Sequence, residues 1–190
     1  FLFAQAVPRV PFIQPDACLK LTENRCGNCA SVCPVEAVRF NDTEEEVQLE
    51  VGFVLVAVGY RLFDVSAIPQ LGWRRYGGVL TSLEFERMLS ADGPTGGRIL
   101  VPATGRPPRS VAILHCVGSR DSNYAPYCSR VCCMTALKYA TLIRQKCGPE
   151  TAVYNLYIDM RCHGKGSEEI FRRAAREGVR FIRGKAVRVL

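Results

Sequence analysis

Ser110-Val111-Ala112-Ile113-Leu114-His115-Cys116-Val117-Gly118-Ser119-Arg120 is the stretch on which the fold turns. Ser110 to Cys116 reads as a mostly apolar strand of the kind buried in a parallel sheet. It ends on a thiol and a turn with a single glycine, Gly118. A dinucleotide-binding turn carries Gly-x-Gly-x-x-Gly there, so that the backbone can approach a pyrophosphate. That fingerprint is missing, and side chains stand where the phosphates would go. Pyridine-nucleotide binding at Cys116 to Arg120 is therefore not expected.

Working outward, Ser129 to Cys147 is predicted helical and stopped by Gly148-Pro149. Ala152 to Ile158 is rich in β-branched and aromatic residues and is predicted to be a strand. Ser167 is expected to cap a second helix, which Glu168 and Glu169 favour through the helix dipole and Gly178 ends. Val179 to Ile182 begins a further strand. Strand, helix, strand, helix, strand with connections this long implies a parallel sheet. Residues 110–190 thus form a Rossmann-like unit, and the fold class is α/β. On the amino-terminal side, Val51 to Gly59 is an apolar run bounded by glycine, expected to be another strand buried on both faces. Thr81-Ser82-Leu83-Glu84 has the form of a capping box for a helix from Ser82 to about Ala91. Residues 1–50 lack long periodic runs; Asn41 to Glu50, with four glutamates and an aspartate, reads as a turn and a polar strand. Two domains are expected, 1–50 and 51–190.

Of the 190 residues 48% are hydrophobic, enough for a core, yet no apolar run approaches the roughly 20 residues of a membrane span. No secretory signal opens the chain, and a cytoplasmic protein is expected. The first residue is Phe1 and the last stretch is apolar, so the chain reads as an internal piece of a longer protein.

The cysteines carry the chemistry. There are ten. Cys26-x2-Cys29-x3-Cys33-Pro34 matches the end of the bacterial ferredoxin pattern, preceded by Cys18 across a seven-residue gap. The short gaps let neighbouring thiolates reach neighbouring irons of one cubane. Cys33 either closes this site or serves a cluster whose other ligands lie elsewhere. Zinc also accepts Cys-x2-Cys, but the Cys-Pro ending and Val32, Val35 and Val38 favour iron–sulfur. A second group, Cys116, Cys128, Cys132 and Cys133, follows the Ser110 strand. Cys116 is expected at the carboxyl end of that strand, where α/β sheets bind ligands. Cys128 and Cys132 are expected on one helix face in the first turn, where free N–H groups favour an anionic cluster. The alternative is four buried structural thiols. If eight cysteines hold two 4Fe–4S clusters as thiolates, the formal charge of +7 falls to about +3. The basicity then balances metal sites, and no nucleic-acid partner is expected.

Cys116-Val117-Gly118-Ser119-Arg120-Asp121 and Tyr127-Cys128-Ser129-Arg130-Val131-Cys132-Cys133-Met134 resemble the heterodisulfide reductase A-subunit family. So do Leu83 to Arg87, Gly93 to Gly97 and Gly164-Lys165-Gly166. The resemblance implies an iron–sulfur flavoprotein with a thioredoxin-reductase-like FAD/NAD(P)-binding fold and a ferredoxin-like insertion, of which residues 1–50 are part. It implies 4Fe–4S clusters and FAD as cofactors, other subunits of such a complex as partners, and ferredoxin or hydrogenase-type electron donors. It also implies electron bifurcation at the flavin toward a disulfide-reducing partner. Ala57-Val58-Gly59-Tyr60 is similar to the Ala-Thr-Gly strand end that touches FAD, with Val58 in place of Thr, so Ala57 and Gly59 become cofactor contacts. Lys138 matches the lysine placed against the flavin N5, with Glu84 or Glu86 as its partner when the flavin is oxidised. By spacing alone Lys138 shares a stripe with Val131 and Met134 and either reaches solvent or wants an anion.

The competing readings are an A-subunit of the quinone-interacting membrane-bound oxidoreductase type and, more remotely, a zinc-binding interaction module. Asp159 is expected to be structural, and Arg74-Arg75 and Arg172-Arg173 are expected to be solvated faces or contacts to further domains. Cys147 and Cys162 have no partner by spacing, and neither is expected to be a ligand.

Overall fold

The computed structural model describes residues 10–43 and 46–190. Two compact units divide between Gly59 and Tyr60. The first carries two short helices, α1 (Leu19–Glu23) and α2 (Asn28–Ser31). Asn24 closes α1 in the left-handed region at φ 53°, which asparagine tolerates because its short side chain can bond locally. No strand forms among the described residues of 41–59, and Glu44 and Glu45 of the expected acidic turn lie outside them.

The expected strand at Val51 to Gly59 is thus corrected. Phe53, Leu55 and Val58 are 86%, 83% and 89% exposed. Apolar periodicity reports that a segment is suited to burial, while burial itself needs paired strands and packed layers. The run has neither here.

The second unit opens with two 3-10 turns, Val65–Ala67 and Pro69–Leu71, and α3 (Ser82–Leu89). Then come β1 (Ser110–Leu114), α4 (Cys132–Cys147), β2 (Ala152–Tyr157), α5 (Ser167–Arg176) and β3 (Arg180–Arg183). The sheet is parallel in the order β1-β2-β3, with Ser110 opposite Ala152 and Tyr154 opposite Arg180. The α/β class and the parallel pairing expected from the strand–helix alternation both hold.

One core joins the helices to the sheet: Met88, Ile99, Leu137, Ala140, Ile143, Val153, Ala174 and Val179. Leu137, Ile143 and Val153 are almost fully buried, each worth about 1.5–3 kcal/mol in transfer from water. Val153 and Asn155 of β2 are buried, whereas Ala152, Tyr154 and Leu156 between them are only half-buried, so the two sheet faces are unequally covered. β1 is likewise half-buried rather than buried on both faces.

Two helix starts differ from expectation. α4 begins at Cys132, not Ser129, because Arg130 takes a left-handed backbone at φ 65° that no helix continues through. Ser167 is the first residue of α5, and the cap is Gly166 at φ 83°. No helix among the described residues is long and apolar enough to cross a membrane.

Candidate functional site

In a parallel sheet all carboxyl ends of strands emerge on one side, and here that edge collects the thiols. Cys116 follows β1, with its backbone at φ 56° and only 5% exposure. Cys132 and Cys133 open α4, and Cys133 is 3% exposed. Cys128 lies in the loop before α4, so it does not share a helix face with Cys132 as its spacing implied.

Three of the four sulfurs accept a hydrogen bond. The Arg130 N–H donates to Cys128 Sγ and the Arg161 N–H to Cys133 Sγ, both at 3.4 Å. Ser129 Oγ donates to Cys132 Sγ at 3.4 Å. The Cys133 thiol is the leading influence holding Cys132 below the usual thiol range, helped by Ser129, His115 and the Cys116 backbone N–H against the cost of burial. That same bond pushes Cys133 up, together with its burial. Burial raises Cys116, and charge on Cys132 and Cys128 raises it further. Cys116, Cys128 and Cys132 therefore lie within electrostatic reach of one another, and Cys133 is bonded to Cys132.

No three His, Cys, Asp or Glu side chains among the described residues converge tightly enough for one metal ion. A tetrahedral zinc site would need sulfurs about 3.8 Å apart. A cubane spreads its thiolates over four irons and tolerates wider spacing. The donor chemistry, thiols supplied with N–H and O–H bonds beside a helix start, suits such an anionic group.

Three residues that spacing could not reveal join this edge. Cys162, pushed up by burial and by charge on Cys132, in turn helps push up Cys133, and it lines an open cleft of about 560 Å³ with Cys128, Arg130, Met160, Arg161 and His163. Arg120 donates from Nη2 to Asp159 Oδ2 at 2.7 Å, and its side chain is 19% exposed. Asp159 also faces Arg161 at 3.8 Å and Arg183 at 3.5 Å. Asp159 follows β2 and Arg183 ends β3, so the meeting is a product of sheet topology rather than of sequence proximity. Beside Cys116, His115 Nε2 pairs with buried Asn155 Oδ1 at 2.8 Å.

In the first unit Cys26 and Cys29 are exposed, while Cys18 and Cys33 are half-buried. Cys18 precedes α1 and Cys29 lies within α2. Backbone N–H groups of Asn28 and Gly27 hold the Cys26 thiol below its ordinary range. Those of Ala37, at 3.4 Å, and Val35 do the same for Cys33.

Lys138 projects from α4 and is half exposed. Its Nζ donates to both oxygens of Glu86, at 2.8 and 3.0 Å. Glu84 is engaged elsewhere, in the cap of α3 and by Trp73 Nε1 at 3.0 Å. Burial pushes the Glu86 carboxyl up, but bonds from Lys138 and Tyr139 bring it below the usual carboxylate range. Tyr139 Oη also donates to Ser82 O at 3.0 Å, and burial and Glu86 push its phenol up. Ala57 and Gly59 belong to the exposed run. Gly59 has φ 72°, and among the described residues nothing beyond its chain neighbours lies within 4 Å of where a Cβ would stand.

A thiol-lined carboxyl edge on a parallel α/β sheet is the kind of surface a redox protein builds, and the relatives of this chain are redox enzymes. Over almost its whole length the chain is homologous to the A-subunit of heterodisulfide reductase, an iron–sulfur oxidoreductase. It is 47% identical over 186 residues to the A-subunit of the ferredoxin/F(420)H(2)-dependent CoB-CoM heterodisulfide reductase of Methanosarcina acetivorans. It is 47% identical over 185 residues to the iron-sulfur A-subunit of the CoB–CoM heterodisulfide reductase of Methanocaldococcus jannaschii. Over 190 residues it is 44% identical to the A-subunit of the H(2):CoB-CoM heterodisulfide,ferredoxin reductase of Methanothermobacter marburgensis. These alignments take in 96–99% of this chain but only 23–28% of the relatives, so the chain spans about a quarter of their length. No protein-family model matches it.

Proposed function

We propose that this chain is a segment of the A-subunit of a heterodisulfide reductase-like complex, an iron–sulfur flavoprotein that passes electrons between FAD and 4Fe–4S clusters. One observation carries the reading: Cys116, Cys128, Cys132 and Cys133 gather at the carboxyl edge of the sheet in a chain 44–47% identical to such subunits. When bound, the clusters store single electrons and FAD exchanges single electrons for pairs.

The residues of this chain divide the remaining work. Cys116, Cys128, Cys132 and Cys133 are the ligands of one cluster. The bonds from Cys133 and Ser129 hold Cys132 toward the thiolate that ligation needs, while burial pushes Cys116 and Cys133 the other way, a cost that binding an anionic cluster would have to offset. Cys18, Cys26 and Cys29 bind a second cluster, with Cys33 closing it or serving a neighbour. By the family resemblance Ala57 and Gly59 would contact FAD, and the open surroundings of Gly59 would admit close approach. By the family resemblance Lys138 would offer its ammonium to the reduced flavin, and Glu86, which binds it here, would hold it when the ring is oxidised. Other subunits of the complex take up the electrons. With a hydrogenase-type donor, two electron pairs would divide, two electrons passing singly to ferredoxin and two, with two protons, to a disulfide on the partner; with a ferredoxin donor, electrons would arrive singly and pass to that disulfide without division.

Iron and sulfide analysis of the anaerobically reconstituted protein tests the ligand set. Serine at Cys116, Cys128, Cys132 and Cys133 together should remove about four irons per chain. An unchanged iron content would sink the assignment.

A further inference from the structure

The four cysteines are accompanied by a cation whose position the ligand set does not require. Arg120 stands in the loop after β1 with a left-handed backbone at φ 55°, and its N–H is tied to Tyr127 O at 3.0 Å. One arm of its guanidinium is fixed by Asp159 at 2.7 Å. Cys116 lies four residues before it, and the guanidinium charge is close enough to hold that thiol down against its burial. Its Nη1 is buried and has no hydrogen-bond partner among the described residues. A donor that has lost its water and gained no acceptor costs stability unless something accepts from it. The planar fork can serve a carboxylate and a sulfur at once, which a lysine ammonium does less well.

We propose that Arg120 is a positioning residue that sets the reduction potential of the group held by Cys116, Cys128, Cys132 and Cys133, and that Asp159 fixes its strength. The inference rests on the cluster reading above. A guanidinium donating to a ligand thiolate lowers the electron density at that sulfur and favours the reduced state, which carries one more negative charge. Asp159 opposes it: its negative charge, shared with Arg161 and Arg183, offsets part of the cation, while the bond from the Arg120 N–H to Tyr127 O holds the residue in its loop without Asp159. The two residues should therefore move the potential in opposite directions, an outcome that loosened packing alone does not produce.

The test is an EPR-monitored redox titration of this cluster in the cluster-loaded holoprotein. Arg120→Gln should disfavour the reduced state by about tenfold, or 59 mV for a one-electron couple. Arg120→Lys should give a smaller shift of the same sign, and Asp159→Asn a shift of the opposite sign. Potentials unchanged in all three, with iron content intact, would overturn the proposal, as would shifts of one sign for Arg120→Gln and Asp159→Asn. If Arg120→Gln fails to retain iron, Arg120→Lys and Asp159→Asn decide by the same criteria. The cluster reading fails separately, when serine at the four cysteines leaves the iron content as it was.

Discussion

Gly118 is the residue on which the turn after β1 depends. Its φ of 67° is a conformation that costs an L-residue about 1–2 kcal/mol. A Cβ placed there would fall onto the ring of Phe63. That ring packs edge-on against Tyr124, with centroids 5.2 Å apart, so it is not free to swing away. Phe63 thus covers the backbone that a dinucleotide-binding turn would leave open to a pyrophosphate. Gly118→Ala combines backbone strain with overpacking and should destabilise the chain by about 2–4 kcal/mol. Urea denaturation measures it; a loss below about 1 kcal/mol would show that the ring yields easily.

At the scale of elements, α3 is held by its first turn. Thr81 Oγ1 accepts from the Glu84 N–H while Glu84 accepts from the Thr81 N–H at 2.6 Å. Partial burial pushes Glu84 up, but bonds from Thr81 and Trp73 bring it below the ordinary carboxylate range. A carboxylate depressed on folding contributes stability that is complete above the unfolded pKa of about 4.3 and is lost as pH falls through the folded value. Glu84→Gln should therefore be less stable than the wild type at pH 7, with the gap closing below about pH 4. Thermal melts across that range check it, and a gap independent of pH would point to packing instead. This capping box was legible because both partners lie within four residues. The start of α4 was not, since Arg130 leaves the helix to donate its N–H to Cys128, a bond that spacing does not encode. The exposure of Val51 to Gly59 escaped for another reason: hydrophobicity names no partner. Arg120, Asp159 and Arg183 come together because three parallel strands end on one side. The choice between Glu84 and Glu86 needed geometry too, as both sit on α3. The Lys138–Glu86 pair that joins α4 to α3 is half exposed, so its loss should cost the fold less than about 1 kcal/mol. In the FAD-loaded protein, Lys138→Met should make the flavin harder to reduce by roughly 40–130 mV, the equivalent of a charge contact of about 1–3 kcal/mol. A redox titration with an unchanged midpoint, FAD content and fold being intact, would mean that Lys138 serves Glu86 alone.

Over the whole molecule, stability and the thiol edge are unevenly matched. The core of the second unit draws on α3, α4, α5 and β2 and does not involve the four cysteines. Residues 117–131 form neither helix nor strand and connect β1 to α4. Cys116, Arg120 and Arg130 hold left-handed backbones at its ends and middle, each costing about 1–2 kcal/mol. Against this stand bonds made mostly within the loop, among them Ser119 N–H to Cys116 O at 3.2 Å, Arg120 N–H to Tyr127 O at 3.0 Å, Asp121 N–H to Ala125 O at 3.1 Å, Ala125 N–H to Gly118 O at 3.2 Å and Ser119 Oγ to Tyr127 O at 2.9 Å, with the pairs of Arg120 with Asp159 and Lys185 with Asp121. A group bound to the native thiols but not to the unfolded chain stabilises the segment it crosses by mass action. Local opening of that segment does not require the core to open. Removing iron from the loaded holoprotein with a chelator should therefore speed amide hydrogen exchange across 117–131 by at least tenfold. Leu137 to Ile143 in α4 and Val153 to Asn155 in β2 should keep their protection, because their burial is independent of the metal. Exchange rising equally throughout 60–190 would make the cluster a global support of the fold, and no change at 117–131 would place the iron elsewhere.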